Sequence, residues 1–222
     1  MTVAAEPADA PFDAVVLAGG TARRLGGASK PDVELSGRRL LDHALDATAG
    51  ARRTVVVAPA SVAVPPGVLR TLEDPPHGGP VAGIAAGLDA LESAGTTDGG
   101  APAPAPLPAL VLVLACDVPG AAGAVPGLVR AALASPGGAC LVDADGRRQW
   151  LVGVYRRAAL RTRLAALAGG RDVGVRALLG DLPLAEVRAR GSESTDVDTW
   201  SDLAALARAE EAPDDGSPAR TV

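Results

Sequence analysis

The 222-residue chain has no asparagine, one methionine and two cysteines, and aromatic residues make up only 2% of it. Each scarcity excludes something. Cys116 and Cys140 are too few for a disulfide framework and lack metal-ligand spacing. A reducing cytoplasm is the setting they fit. So few aromatic rings leave no platform for stacking bases. The net charge of −5 leaves no basic footprint either, so no nucleic-acid partner is expected. Three of those five charges belong to the tail from Ala209 onward, where Glu210, Glu211, Asp214 and Asp215 outnumber Arg220. No apolar run approaches the roughly 18 residues of a membrane span, so no membrane partner is expected. The first residues, with Glu6 and Asp9, lack the basic start and apolar stretch of a secretory signal. Lysine is scarce too: of 21 basic residues only Lys30 is one. The arginine bias is what a GC-rich genome produces. A lone lysine against it is open to chance or to a need for a compact ammonium where a planar fork would not serve.

What is present is alternation. Strand-length apolar runs read at Asp13–Ala18, Arg53–Ala58, Val68–Glu73, Ala109–Ala115, Ala139–Val142 and Gln149–Tyr155. Helical periodicity reads at Arg38–Ala49, from Pro80 through Val81, Ile84, Leu88 and Leu91, and at Ala124–Ala134. It returns at Arg157–Leu167, Val173–Leu179 and Thr199–Ala209. Near-continuous apolar strands alternating with helices predict a mostly parallel sheet covered on both faces, a three-layer α/β/α arrangement. One domain over residues 12–208 accommodates it. Gly95–Pro108 reads as a low-complexity flexible insertion, and residues 1–11 and 209–222 as disordered tails.

In open parallel sheets ligands gather beyond the carboxyl ends of the strands. The loop after the first strand, from Leu17 and Ala18 through Gly19 and Gly20 to Lys30, is rich in glycine and carries Arg24. Glycines there let backbone amides approach phosphate oxygens, and Arg24 and Lys30 add positive charge for a leaving pyrophosphate. It is not a Walker loop, because Lys30 stands between Ser29 and Pro31. Nor does it have the Gly-x-Gly-x-x-Gly spacing of a dinucleotide fingerprint. Asp117 ends the clearest strand, where a hard oxygen ligand for Mg²⁺ is well placed; a turn or helix-capping aspartate is the alternative. Asp198 is open to a second metal-ligand role or to capping the last helix. Asp74 is open to accepting guanine N1 and N2 hydrogens or to a turn before Pro75. Gly83 and Gly87 fit either close substrate approach or tight helix–sheet packing. Arg171 and Arg176 fit either an acceptor phosphate or solvent. His43 reads as a surface residue and Cys116 as a small buried hydrophobe.

Leu-Ala-Gly-Gly-x-x-x-Arg-x-Gly-Gly-x-x-Lys, spelled by Leu17 to Lys30, resembles the nucleotide-binding signature of the molybdenum cofactor guanylyltransferases. The resemblance continues in order. Glu73-Asp74, Gly78-Gly79-Pro80-Val81-Ala82-Gly83, Cys116-Asp117-Val118-Pro119, Gln149-Trp150-Leu151 and Asp196-Val197-Asp198-Thr199 each resemble a family segment. It implies a Rossmann-like nucleotidyltransferase fold that moves GMP from GTP to the phosphate of molybdopterin with Mg²⁺. It implies nucleotide contacts at Leu17, Ala18, Gly19, Gly20, Lys30, Asp74 and Asp117, with catalytic roles for Lys30, Arg24 and Asp117 and metal ligation by Asp117 and Asp198. A molybdoenzyme or another protein of the cofactor pathway is the partner it implies. Three segments depart from the pattern. Ala58-Pro59 stands where the family has an asparagine, Asp196 and Asp198 replace asparagines, and Trp150 replaces a proline.

Overall fold

A computed structural model describes residues 10–19, 27, 29–94, 106–168 and 170–211. The chain runs β1 (Phe12–Leu17), a 3-10 turn (Lys30–Asp32), β2 (Glu34–Leu35), β3 (Arg38–Arg39), α1 (Leu40–Asp46), β4 (Thr54–Val57) and β5 (Leu69–Thr71). It continues through α2 (Gly79–Ser93), β6 (Leu110–Ala115), a second 3-10 turn (Pro119–Ala124), α3 (Val125–Leu133), β7 (Gly138–Val142) and β8 (Arg148–Arg156). It closes with α4 (Arg157–Ala166), α5 (Val175–Leu179), β9 (Leu184–Arg188) and α6 (Trp200–Glu211). The segment expected to be a flexible insertion lies outside the described residues over 95–105, as do residues 1–9 and 212–222 of the two tails.

Seven strands form one sheet in the order β5-β4-β1-β6-β8-β7-β9. Every neighbouring pair is parallel except the two that involve β8. The apolar runs become strands because their alternate residues feed two different cores. Ala14, Val16, Val56, Leu112 and Leu114 point to the face covered by Leu41 and Ala44 of α1 and by Leu128, Val129 and Ala132 of α3. Val15, Val55, Val57, Val111 and Val113 point to the other, under Ile84 and Leu88 of α2, Leu160 and Leu164 of α4, and Leu178 of α5. The result is a three-layer α/β/α fold with a mostly parallel, Rossmann-like sheet.

Two elements escape the periodicity. Glu34–Leu35 and Arg38–Arg39 form a hairpin joined by Ser36 and Gly37, both at positive φ (51° and 77°), the geometry of a tight primed turn. Helix α1 therefore begins at Leu40, two residues later than the sequence pattern places it. Strand β9 reads weakly because it is half-buried and carries Glu186 and Arg188, and its partner β7 lies more than 40 residues earlier. Its pairing is decided by the sheet edge that the rest of the fold exposes.

Helix α2 sits unusually close to the sheet. A Cβ on Gly87 would lie 2.6 Å from a methyl of Val15, and one on Gly83 would lie 3.1 Å from Leu17. Both glycines are buried, so packing rather than substrate approach accounts for them. At the opposite, amino-terminal edge, Asp13 is fully buried on β1 and accepts a hydrogen bond from Arg157 Nη2 at 2.5 Å. Arg157 also donates to the carbonyl of Pro108. Burial pushes the Asp13 carboxyl up, against the pull of Arg157, and pushes the Arg157 guanidinium down. The pair is therefore a fastening between β1 and α4 more than a net source of stability.

Replacing Gly87 with valine is expected to destabilise the protein by about 1–3 kcal/mol through overpacking against Val15 and Val57. Urea unfolding measures it. An unchanged midpoint would mean that α2 does not rest on β1 at this depth.

Candidate active site

The carboxyl ends of β1, β4 and β6 lie side by side. The Ala18 amide donates to Val57 O (3.0 Å) and the Cys116 amide to Leu17 O (3.0 Å), carrying the parallel ladder one residue past the strands. Gly19 leaves the sheet here, and Asp117 leaves β6 two residues after its end. Gly20 and Arg24, expected to bind phosphates, lie outside the described residues.

Lys30 opens the first 3-10 turn, whose next residue is the buried Pro31. Proline fixes φ and needs no donor there, so it sets the lysine's backbone. Val33 then packs with Leu35, Leu40, Val197 and Leu206 in a small separate core. From this base the Lys30 ammonium reaches two carboxylates, donating to Asp117 Oδ2 and to Asp198 Oδ1, each at 2.6 Å. The lysine side chain is 17% exposed and that of Asp117 21%, while Asp198 is more open. Burial alone would lower the lysine's affinity for its proton. Hydrogen bonds and charge from Asp117 and Asp198 outweigh that and hold its pKa above the ordinary value. The ammonium is thus permanently charged at neutral pH.

Asp198 arrives from the far end of the chain because its neighbour is pinned. Val197 is fully buried, and its amide donates to Asp117 O at 2.8 Å. The preceding loop lies across the second 3-10 turn, where Cβ atoms on Gly120 and Gly123 would meet Ser192 and Glu193 at 2.5 and 2.7 Å. Asp198 does not cap α6. Thr199 does, its hydroxyl accepting from the Asp202 amide (3.2 Å) while Asp202 Oδ2 accepts from the amides of Thr199 and Asp198. This reciprocal box caps α6 through Thr199 and Asp202, while the Asp198 carboxylate accepts from Lys30. Partial desolvation, then the like charges of Asp198 and Asp117, push the Asp196 carboxyl up.

The remaining expected residues lie further off. Asp74 is exposed in the loop after β5. That strand stands three places from β6, on the order of 14 Å away at about 4.8 Å per strand. The Ala58-Pro59 step ends β4 without any polar side chain. Gln149 donates to Asp143 (2.8 Å) and shapes the β7–β8 hairpin rather than joining the lysine cluster. Arg171 donates to the Pro75 carbonyl (2.8 Å), clasping the loop that holds Asp74. His43 is half-buried against the Leu35 carbonyl (3.2 Å). Sequence reading missed the convergence of Asp198 on Lys30 and the pin at Val197. The signal available was one apolar residue flanked by two aspartates.

Asp117 and Asp198 offer hard oxygen donors from two chain segments to a single point, a set that suits Mg²⁺ or Mn²⁺ completed by phosphate oxygens and water. Among the described residues no group of three or more His, Cys, Asp or Glu side chains is placed to hold a metal.

The described site is a mostly parallel sheet with a lysine and two carboxylates at its carboxyl edge. Residues 14–187 match the family model described as MobA-like NTP transferase domain. The chain belongs to this family, and its fold is that of the nucleotidyltransferases. A molybdenum cofactor guanylyltransferase from Acidiphilium cryptum (strain JF-5) is 40% identical over 100 residues, 42% of this chain and 50% of that protein. The chain thus matches about half the length of this curated relative. Three solved structures share the fold at full length. Molybdopterin-guanine dinucleotide biosynthesis protein A from Archaeoglobus fulgidus has a TM-score of 0.62 at 18% identity, covering 90% of this chain and 98% of that one. The 2-C-methyl-D-erythritol 4-phosphate cytidylyltransferase from Thermus thermophilus scores 0.58 at 22% identity, covering 88% and 98%. Rv0371C from Mycobacterium tuberculosis H37Rv, in complex with manganese, scores 0.59 at 22% identity, covering 89% and 98%.

Cys116 precedes Asp117 but is no reagent. Burial pushes its thiol up to about 12 and that of Cys140 up to about 11, and both are free and buried. Iodoacetamide at pH 8 is expected to leave both unmodified in the folded protein and to modify both in urea, as mass spectrometry would record. Rapid labelling of the native state would contradict this packing of the turn after β6.

Proposed function

We propose that this protein transfers GMP from GTP to the terminal phosphate of molybdopterin and releases pyrophosphate, with Mg²⁺. The observation that supports it most is the Lys30 ammonium held at 2.6 Å by both Asp117 and Asp198. Family membership and the partial likeness to the Acidiphilium cryptum enzyme support the choice of substrates.

In this reading the amides of Gly19 and Gly20 line the triphosphate, and Arg24 and Lys30 face its anionic end. Asp117 and Asp198 would hold the divalent cation, which when bound would supply positive charge to the triphosphate. A terminal phosphate oxygen of molybdopterin attacks the α-phosphorus of GTP. The bond from that phosphorus to the bridging oxygen of the β-phosphate breaks, and pyrophosphate leaves with the electron pair. No proton must move and no protein nucleophile is needed, so catalysis consists of alignment and charge stabilisation. A recipient molybdoenzyme is the partner that would take the product.

Replacing Lys30 with alanine is expected to lower kcat by about 100-fold or more, the size of losing one transition-state donor. Asp117→Ala should abolish metal-dependent pyrophosphate release. Wild-type rates in either variant would overturn the site.

The base would lie toward Asp74, whose carboxylate can accept from N1 and N2 of guanine. Removing a hydrogen bond to a charged group costs about 1.5–3 kcal/mol, so Asp74→Ala should lower kcat/KM for GTP about 10- to 100-fold. Its effect with ITP, which lacks the N2 donor, should be smaller. An equal loss with both nucleotides would remove Asp74 from base recognition. The cytidylyltransferase among the structural neighbours favours a second reading, transfer of CMP to another small phosphorylated acceptor. A larger rise in Tm with CTP than with GTP would select it.

A further inference from the structure

We propose that in the nucleotide-free protein Lys30 is a tethered cation that stands in for the divalent metal, so that metal and triphosphate bind cooperatively by exchanging partners with it. The proposal rests on the functional reading above and adds to it a rule for how the site loads.

Its basis is a conflict of occupancy. The Lys30 ammonium sits at the point where Asp117 Oδ2 and Asp198 Oδ1 converge, 2.6 Å from each. These are the oxygens a metal would take, and they come from segments 87 and 168 residues away along the chain. A doubly charged ion and an ammonium cannot share that point. A metal arriving alone must displace Lys30, whose charge then has no partner in a site where its side chain is only 17% exposed. A triphosphate arriving alone meets two carboxylates already neutralised in part by the lysine. Arriving together, the two ligands resolve the conflict: the carboxylates pass to the metal and the ammonium to phosphate oxygens.

The lysine is built for such an exchange. Its backbone is held by the Pro31 turn. Its four-carbon stem is flexible and its charge is compact, so it can change partners where a guanidinium fork would resist. Asp198 matters equally. An asparagine there would carry no charge and would bind the ammonium more weakly, so the second carboxylate is what makes the apo pairing strong. Because binding free energies are reciprocal, whatever factor the triphosphate adds to metal affinity the metal adds to triphosphate affinity.

The test needs no acceptor and no turnover. Mn²⁺ binding is measured by the EPR signal of the free ion, with and without GTP, in the wild type and in Lys30→Met and Lys30→Gln. Without nucleotide, both variants are expected to bind Mn²⁺ about tenfold or more tightly than the wild type. GTP should tighten Mn²⁺ binding strongly in the wild type and much less in the variants. Equal Mn²⁺ affinity in wild type and variants without nucleotide would overturn the exchange. If instead the variants bind Mn²⁺ more tightly but GTP, beyond its own chelation of Mn²⁺, changes nothing in any of the proteins, the competition between Lys30 and the metal stands, while the cooperative exchange and the GTP reading fail.

A second measurement does not depend on a folded variant. Lys30 is the chain's only lysine, so lysine-specific ¹³C/¹⁵N labelling gives one side-chain resonance set. Addition of Mg²⁺ at a concentration that saturates the GTP-bound protein should leave that resonance in place without GTP. Mg²⁺ and GTP together should shift it. A resonance that moves fully with Mg²⁺ alone would refute the coupling.

Discussion

Two carboxylates and one ammonium, drawn from three distant stretches of chain, are the constraint around which this molecule is organised. Asp117 ends a central strand, Lys30 begins a turn after the first loop, and Asp198 belongs to the segment before the last helix. Bringing Asp117 and Asp198 together without a cation would set two like charges against each other at a partly desolvated edge. The ammonium removes that cost and in doing so ties the C-terminal segment to the sheet. Other features serve the same end. Val197 is buried and hydrogen-bonded to the Asp117 carbonyl, Gly120 and Gly123 give the incoming loop room, and Thr199 with Asp202 caps α6 so that Asp198 need not.

The two edges of the sheet divide the work. At the amino edge, the charge pair Asp13–Arg157 is buried and dry and fastens strand to helix. At the carboxyl edge, the charges of Lys30, Asp117 and Asp198 are partly open. Burial decides the difference. A fully desolvated pair is costly to separate, whereas a cluster with exposure on one side can trade a lysine for a metal and a phosphate.

The strands, the major helices and the sheet's direction were legible in the sequence because each depends on local apolar periodicity. Phe12–Leu17 and Leu110–Ala115 are buried along nearly all their length, and such strands announce themselves. The family was legible for another reason: the motifs from Leu17 to Thr199 follow one another in a set order, and residues 14–187 match the family model. What was not legible had no local cause. The Ser36-Gly37 turn and the half-buried β9 form because partners are already in place. Gln149 and Arg171 belonged to readable patterns or loops, yet the structure gives them to Asp143 and to the Pro75 carbonyl.

By itself the sequence determined the class of fold, the glycine turn with its lysine, and an aspartate at the end of the central strand. These follow from hydrophobic alternation and from the chemistry of single residues. Tertiary structure alone decided that Gly83 and Gly87 serve packing, that Thr199 caps α6, and that Asp198 shares Lys30 with Asp117. Each of those outcomes depends on distances between residues far apart in the chain. Only the closing of the whole sheet brings 30, 117 and 198 to one point.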